Sequence, residues 1–507
     1  MTGFQKKILG ILRSPQFFAA ILILFFIEAA WIAISAAYPM VFDENMHFTL
    51  IQAYAHQLSP FWPAHSVATD PAGAVVRDPS YLYHYLMSFP YRLISAVTSD
   101  QMMQVVDLRF INIFLFGGSL IFFRKLLLKT KVSPAIIHAC LLFFVLTPVV
   151  PLLAGQINYD NLIMLVTASS LLLAVTISQT LNHGHRLPIA RIFWLFSLCL
   201  LGSLVQFEYL PIVTAITLWL GWQIWRLVRS NKLQFTSAIT HGWQTASWQR
   251  KLAVIVPFAV ALGLWGQMYG VNIIQYHALT PSCSQVLTRQ ECVSSGSWER
   301  AQQALMHKGY VDKDPVAYAI SWTYRMLVAM FFTSSGGASP SANYLSVNPL
   351  PLIFVAALGV CITGALLIIK YRWKVFAGYE YLGFLFFASV VYSGSLLLHN
   401  YFDYVHLGQK YAIQGRYLFP IALPCMIIIA LAFRKLLDNR ANAKLALLLG
   451  VFLLFLQGGG ALTYITYSRP NWYWQNDVSV SINRAAQAII KPLILMKTPV
   501  RNVGLLN

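Results

Sequence analysis

The stretch Gln16-Phe17-Phe18-Ala19-Ala20-Ile21-Leu22-Ile23-Leu24-Phe25-Phe26-Ile27-Glu28-Ala29-Ala30-Trp31-Ile32-Ala33-Ile34-Ser35-Ala36-Ala37-Tyr38 decides how the rest of the chain is read. It is apolar on every side and carries a single acid, and a helix needs about 20 such residues to cross hydrocarbon. A helix hydrophobic all round belongs in lipid or deep in a large core. Lys6, Lys7 and Arg13 precede it in the manner of a signal peptide. The apolar run is too long for an h-region, so an uncleaved first span is expected.

Ten further apolar stretches repeat the pattern: Val105 to Phe123, Pro134 to Leu153, Leu162 to Leu181, Ile192 to Gln206, Pro211 to Trp225, Leu252 to Met268, Pro349 to Ile369, Phe376 to Leu398, Leu418 to Phe433 and Leu445 to Tyr467. The composition agrees, with 58% hydrophobic and 10% charged residues over 507 positions, where a soluble domain carries about 25% charged residues. An all-α polytopic membrane protein with about eleven transmembrane helices is expected. One membrane domain, 1–467, is followed by a short outside tail, 468–507.

The formal net charge of +19 raises the question of nucleic acid. If the N-terminus is inside, the inside segments hold Lys6, Lys7 and Arg13; Arg124, Lys125, Lys129 and Lys131; Arg186 and Arg191; Arg226, Arg229, Lys232, Arg250 and Lys251; Lys370, Arg372 and Lys374; and Arg434, Lys435, Arg440 and Lys444. That is more than half of the 36 basic residues, against one acid, Asp438. The positive-inside rule accounts for the charge without nucleic acid. It predicts a multi-pass protein of the cell membrane with its N-terminus inside and its C-terminus outside.

Two outside segments are large, Pro39 to Gln104 and Tyr269 to Asn348, and segments of that size carry function more often than linkage. In the second, Ala317 to Phe332 is apolar and short, which suits an interfacial helix. Cys283 and Cys292 share the same polar loop, where an oxidising compartment permits a disulfide. Cys140, Cys199, Cys361 and Cys425 fall inside apolar runs.

The first outside segment begins Tyr38-Pro39-Met40-Val41-Phe42-Asp43-Glu44-Asn45-Met46-His47. On a helix Asp43, Glu44 and His47 share one side. Such a trio can deprotonate a hydroxyl or hold a divalent cation; it also fits a solvated helix start with Asp43 as its cap. Further on come Pro79-Ser80-Tyr81-Leu82-Tyr83-His84, and near the other end Gln414-Gly415-Arg416-Tyr417 leads into a span. An arginine there either snorkels or grips a phosphate with its fork. His399, Asp403 and His406 lie shortly before it. Glu28 and Glu380 are acids in or beside spans, to which the sequence assigns no role.

Asp43-Glu44 with His47, the run Pro79 to Tyr83, Asn158-Tyr159-Asp160-Asn161, and Gln414-Gly415-Arg416-Tyr417 with Pro420 together resemble a bacterial membrane family, domain of unknown function 2142. That family is grouped with the C-type (GT-C) glycosyltransferases, which include protein mannosyltransferases and aminoarabinose transferases. The resemblance covers about Met1 to Tyr467. It departs at Ser80, where relatives often have a second proline, and at Gln206-Phe207-Glu208, where many carry a lysine. The resemblance implies a GT-C-like fold and transfer of a sugar from a polyprenyl-phosphate donor to a glycan, lipid or protein acceptor at the outer leaflet. It implies Asp43 as general base, with Glu44 and His47 orienting it or joining it around a divalent metal cation. Arg416, with Gln414 and Tyr417, would hold the donor phosphate, and Tyr81, Tyr83, His84, Asp160 and Asp403 would shape the cavity. A flippase of lipid-linked sugars is the alternative, and a non-catalytic scaffold a third.

Overall fold

Inside lipid a helix satisfies every backbone group within its own segment, and the apolar runs all fold as helices. The computed structural model describes residues 3–62, 77–184, 187–230, 247–293, 296–331, 351–467, 472–490 and 492. Arg186, Lys232, Phe332 and Pro349, named above in segment assignments, lie outside them. Beyond one antiparallel bridge between Ala36 and Tyr473, no β structure occurs among the described residues.

A basic amphipathic helix, α1 (Gly3–Arg13), precedes α2 (Pro15–Ser35), which Ser14 caps by accepting from the Phe17 amide. At about 1.5 Å per residue the 21 residues of α2 reach about 30 Å, the thickness of the hydrocarbon. Two shorter helices follow, α3 (Glu44–Ala55) and α4 (Leu82–Val97), then the long α5 (Gln101–Leu128). The stretch expected as one span from Pro134 is broken into α6 (Pro134–Val145) and α7 (Val149–Ala154), because Pro148 lies between them. Next come α8 (Asp160–Gly184), α9 (Ile189–Val205), α10 (Leu210–Arg229) and α11 (Trp248–Trp265), the last running through a π-turn into α12 (Val271–Tyr276).

The stretch after α12 holds α13 (Cys283–Val286), α14 (Arg289–Cys292), α15 (Gly296–Met306) and the expected apolar helix α16 (Pro315–Phe331). Cys283 and Cys292 are disulfide-bonded, their Cα atoms 5.8 Å apart. The chain continues with α17 (Pro351–Tyr371), α18 (Leu382–Leu407), α19 (Phe419–Leu436), α20 (Ala441–Leu456), α21 (Leu462–Tyr467) and α22 (Asp477–Ile490). A turn at Gly458–Gly460 splits the last expected span into α20 and α21. Gly460 has φ +56°, and a Cβ there would sit 2.1 Å from Glu28 Oε1, so glycine is required.

Six described helices are long and apolar enough to cross a membrane: Pro15–Ser35, Gln101–Leu128, Asp160–Asn182, Trp248–Tyr276, Leu382–Leu407 and Gly415–Leu436. The protein is therefore an all-helical, multi-pass membrane protein. Its loops sort to two ends. At the basic end Lys131 pairs with Glu380, Arg191 donates to Thr180, Arg226 to Asn182, and Lys435 to the Lys374 carbonyl. Glu380 thus precedes α18 instead of lying within a span, and is a second acid among the basic loops. At the opposite end Asn158 and Arg416 both donate to the Phe42 carbonyl, Phe207 to Ser80, and Trp474 to the Ser35 carbonyl.

Candidate functional site

The site is built where α2 leaves the apolar layer. After the cap at Ala36 the chain turns sharply, and Phe42 and Asp43 adopt φ of 65° and 64° in succession. Two adjacent non-glycine residues in the left-handed region are unusual, and such outliers cluster at functional sites. Asp43 takes the N-cap position of α3 yet makes no side-chain capping bond. Its carboxylate, 58% exposed, instead lies 3.9 Å from the Arg416 guanidinium, which is 1% exposed.

Arg416 comes from the short turn Gly415–Leu418 ahead of α19. Gly415 lets that turn press against α16: a Cβ there would fall 2.4 Å from the Met330 amide nitrogen and 2.5 Å from the Met326 carbonyl oxygen. The guanidinium stacks on the Phe42 ring at 4.5 Å and reaches Asp160 Oδ2 at 3.4 Å, the Phe42 carbonyl at 3.4 Å and the Tyr417 hydroxyl at 3.4 Å. All these contacts are long for charge-assisted bonds, which run at about 2.7–2.9 Å. Arg416 Nε, Asp160 Oδ2 and Gln414 Oε1 are buried without a hydrogen-bond partner among the described residues. Buried polar atoms are nearly always paired, so unpaired ones gathered around one arginine mark a place built for something else.

The residues expected to work beside Asp43 face elsewhere. Glu44 is fully buried; its Oε1 accepts from Arg109 Nε (2.9 Å) and the Ile157 amide (3.1 Å), and its Oε2 from Arg109 Nη2 (2.8 Å) and the Met40 amide (2.7 Å). Arg109 in turn donates to the carbonyls of Ala33 (3.0 Å) and Ala36 (2.6 Å). His47 turns to His84, with Nδ1 2.8 Å from its partner's Nε2 and the two rings stacked. Burial lowers both imidazoles, His47 well below its ordinary value and His84 to about 3, so the pair is neutral at physiological pH. Tyr159 closes edge-on over His47.

The shared helix side expected for Asp43, Glu44 and His47 therefore does not form, because the left-handed Asp43 stands off the helix and each of the other two is consumed by its own partner. Among the described residues no group of three His, Cys, Asp or Glu side chains is arranged to hold a metal ion.

The cavity residues divide. Asp160 joins Arg416. Tyr83 donates to Asn112 (2.8 Å), which also accepts from Asn161 (3.0 Å), beneath the site. Tyr81 is buried against Phe61. Asp403 is not brought to Arg416: it pairs with His399 at 3.5 Å on the exposed end of α18. Tyr417 lines Arg416, and its carbonyl accepts from Tyr392 at 2.8 Å. Glu28 is buried in α2 beside Gly460, at the turn into α21.

Sequence reasoning gave no role to Glu208, which sits in the short turn Phe207–Tyr209 and accepts from Gln206 at 2.6 Å. Its carboxyl is pushed up to about 7, first by burial and then by the nearby Asp160 carboxylate, against the pull of Arg416. It also missed Arg109. Both had a signal: each is a charge within or between apolar runs, where ionisable residues are rarely idle.

Two carboxylates, Asp43 and Asp160, thus face one buried, under-used guanidinium, Glu208 lies within electrostatic reach of it, and Asp43 opens to solvent. This arrangement can bind an anionic group, and it can accept a proton at Asp43. No family model, curated protein or solved structure matches the chain.

Proposed function

We propose that the protein is a membrane glycosyltransferase that moves a sugar from a polyprenyl-phosphate donor to an acceptor at the outer leaflet. The observation that carries this reading is the exposed Asp43 carboxylate held 3.9 Å from the buried Arg416. The resemblance of these segments to a GT-C family supports it. In this reading the eleven apolar stretches are eleven spans of a GT-C-like fold in a cell membrane, the basic end is cytoplasmic, and the site faces outward. Four shorter apolar helices, Pro134–Val145, Ile189–Val205, Val355–Tyr371 and Ala441–Leu456, together with α10, complete that number.

Arg416 receives the donor phosphate, whose oxygens offer shorter bonds than its present contacts of 3.4–3.9 Å. The arriving phosphate displaces the Asp43 carboxylate from Arg416 and leaves it free to face the acceptor. Asp43 then takes the proton from the acceptor hydroxyl as that oxygen bonds to the anomeric carbon. The bond from that carbon to the phosphate oxygen breaks, the lipid phosphate leaves with the electron pair, and the sugar inverts.

Incubation of purified protein with radiolabelled polyprenyl-phosphate sugars and membrane extract tests the activity. Label must move to an acceptor with wild type, and absence of transfer from every donor counts against the reading. Single cysteines at Ser230 and Asn476 test the topology. An impermeant reagent applied to intact cells must reach Asn476→Cys and miss Ser230→Cys.

A further inference from the structure

A cleft of about 860 Å³ lies between α1, α6, α16, α17, α19 and α20. That volume is at the upper end of small-ligand pockets, about 300–1,000 Å³. Its walls are apolar: Ala139 and Phe143 of α6, Leu327 of α16, Val360 of α17, and Ala422 and Met426 of α19 face it. It extends from the basic end to Leu418 and Phe419, the residues that follow the Arg416 turn.

The basic mouth differs in chemistry from the walls. Arg13 at the end of α1, Arg434 near the end of α19 and Lys444 in the first turn of α20 border the cleft, and among the described residues no acid does. Arg434 donates to the Tyr379 hydroxyl at 3.2 Å, and none of the three cations has an acidic partner among the described residues. Asp438, the nearest acid to Arg434 in sequence, pairs with none of them. Gln5 of α1 donates to Asn442 and ties the two sides of the mouth together.

Three cations at the interface above a long apolar slot match a molecule with an anionic head and hydrocarbon chains. Basic pockets between membrane helices bind anionic lipid headgroups on this principle. We infer that the cleft is a binding site for one anionic glycerophospholipid of the leaflet at the basic end, its phosphate on Arg13, Arg434 and Lys444 and its acyl chains between α6 and α19. The inference is independent of glycosyl transfer and concerns a site at the other end of the bundle.

The test uses the full chain in phosphatidylcholine vesicles containing trace chain-spin-labelled phosphatidylglycerol or phosphatidylcholine, reading the motionally restricted fraction. Phosphatidylglycerol is expected to be restricted in preference to phosphatidylcholine. Arg13→Gln, Arg434→Gln and Lys444→Gln should each lower that preference about fivefold, the worth of one cation near an anionic lipid. Ala422→Phe and, separately, Ala139→Phe fill the slot and leave every cation in place; each should remove the selective component. Equal restriction of the two labels in wild type overturns the inference. So does a preference that survives both phenylalanine variants, which would assign it to surface charge alone. Displacement of labelled phosphatidylglycerol by polyprenyl phosphate at lower concentration than by unlabelled phosphatidylglycerol also overturns it, assigning the slot to an isoprenoid lipid.

Discussion

Asp43 and Glu44 are neighbours in the chain, each is a carboxylate, and each faces an arginine, yet the two pairs are opposites. Glu44 and Arg109 are wholly buried, meet bidentately at 2.8–2.9 Å, and fill their remaining sites with backbone amides and carbonyls. Asp43 and Arg416 stand 3.9 Å apart, with the carboxylate in solvent and a guanidinium nitrogen unpaired. A saturated pair has no capacity left for a substrate, so its work is to hold the floor of the site. An under-bonded pair keeps that capacity. Carboxylates one residue apart thus divide between a saturated pair and an open one, and the division follows from partners and not from residue type.

Removing one partner of each pair probes this division. Asp43→Asn should fold, bind donor and lose about 10²–10⁴ in turnover, the usual contribution of a positioned general base. Near-normal turnover in that variant removes Asp43 from the mechanism.

Arg109→Leu should instead cost about 3–5 kcal/mol of stability, because it leaves the Glu44 charge buried and alone. Thermal unfolding in detergent measures this. An Arg109→Leu protein as stable as wild type would falsify the structural role given to the pair.

For Arg416→Lys a smaller loss is expected, about ten- to hundredfold in donor affinity, since a point charge replaces a fork whose charged hydrogen bonds are worth about 1.5–3 kcal/mol each. Equilibrium binding of a polyprenyl-phosphate sugar reads it, and unchanged affinity assigns Arg416 to holding Asp43 only.

The smallest effect concerns Glu208. Its carboxyl is pushed up to about 7 by burial, above the ordinary range near 4.3. Between those values the native state holds the extra proton, so stability is greatest below the lower value and declines as pH rises toward 7. The melting temperature should fall by a few degrees across that window, and Glu208→Gln should flatten the decline. An unchanged slope would show that burial does not hold the Glu208 carboxyl up.

Much of the fold was legible because the requirement it meets is local. A run such as Gln16 to Tyr38 must be helical in lipid whatever surrounds it, and α2 occupies nearly the same residues. Asp43, Asp160 and Arg416 were legible as site candidates from the segments that carry them. The partners were not. Arg109 is 65 residues from Glu44 and His84 is 37 from His47, and no helical spacing encodes a contact across such distances. The shared helix side expected for Asp43, Glu44 and His47 fails for a related reason: helix periodicity presumes helical dihedrals, and Asp43 has a φ of 64°.

The bridge between Ala36 and Tyr473 bears on how the protein is made. Ala37 donates to the Trp472 carbonyl at 2.8 Å, Trp474 donates to Ser35 at 3.2 Å, and Arg109 lies 5.8 Å from the Trp474 ring. The first strip of chain to leave the apolar layer is therefore clasped by a strip more than 400 positions later. A chain emerging from the ribosome can close this clasp only after Trp474 has been made, so the segment ahead of Asp43 waits for partners synthesised long after it.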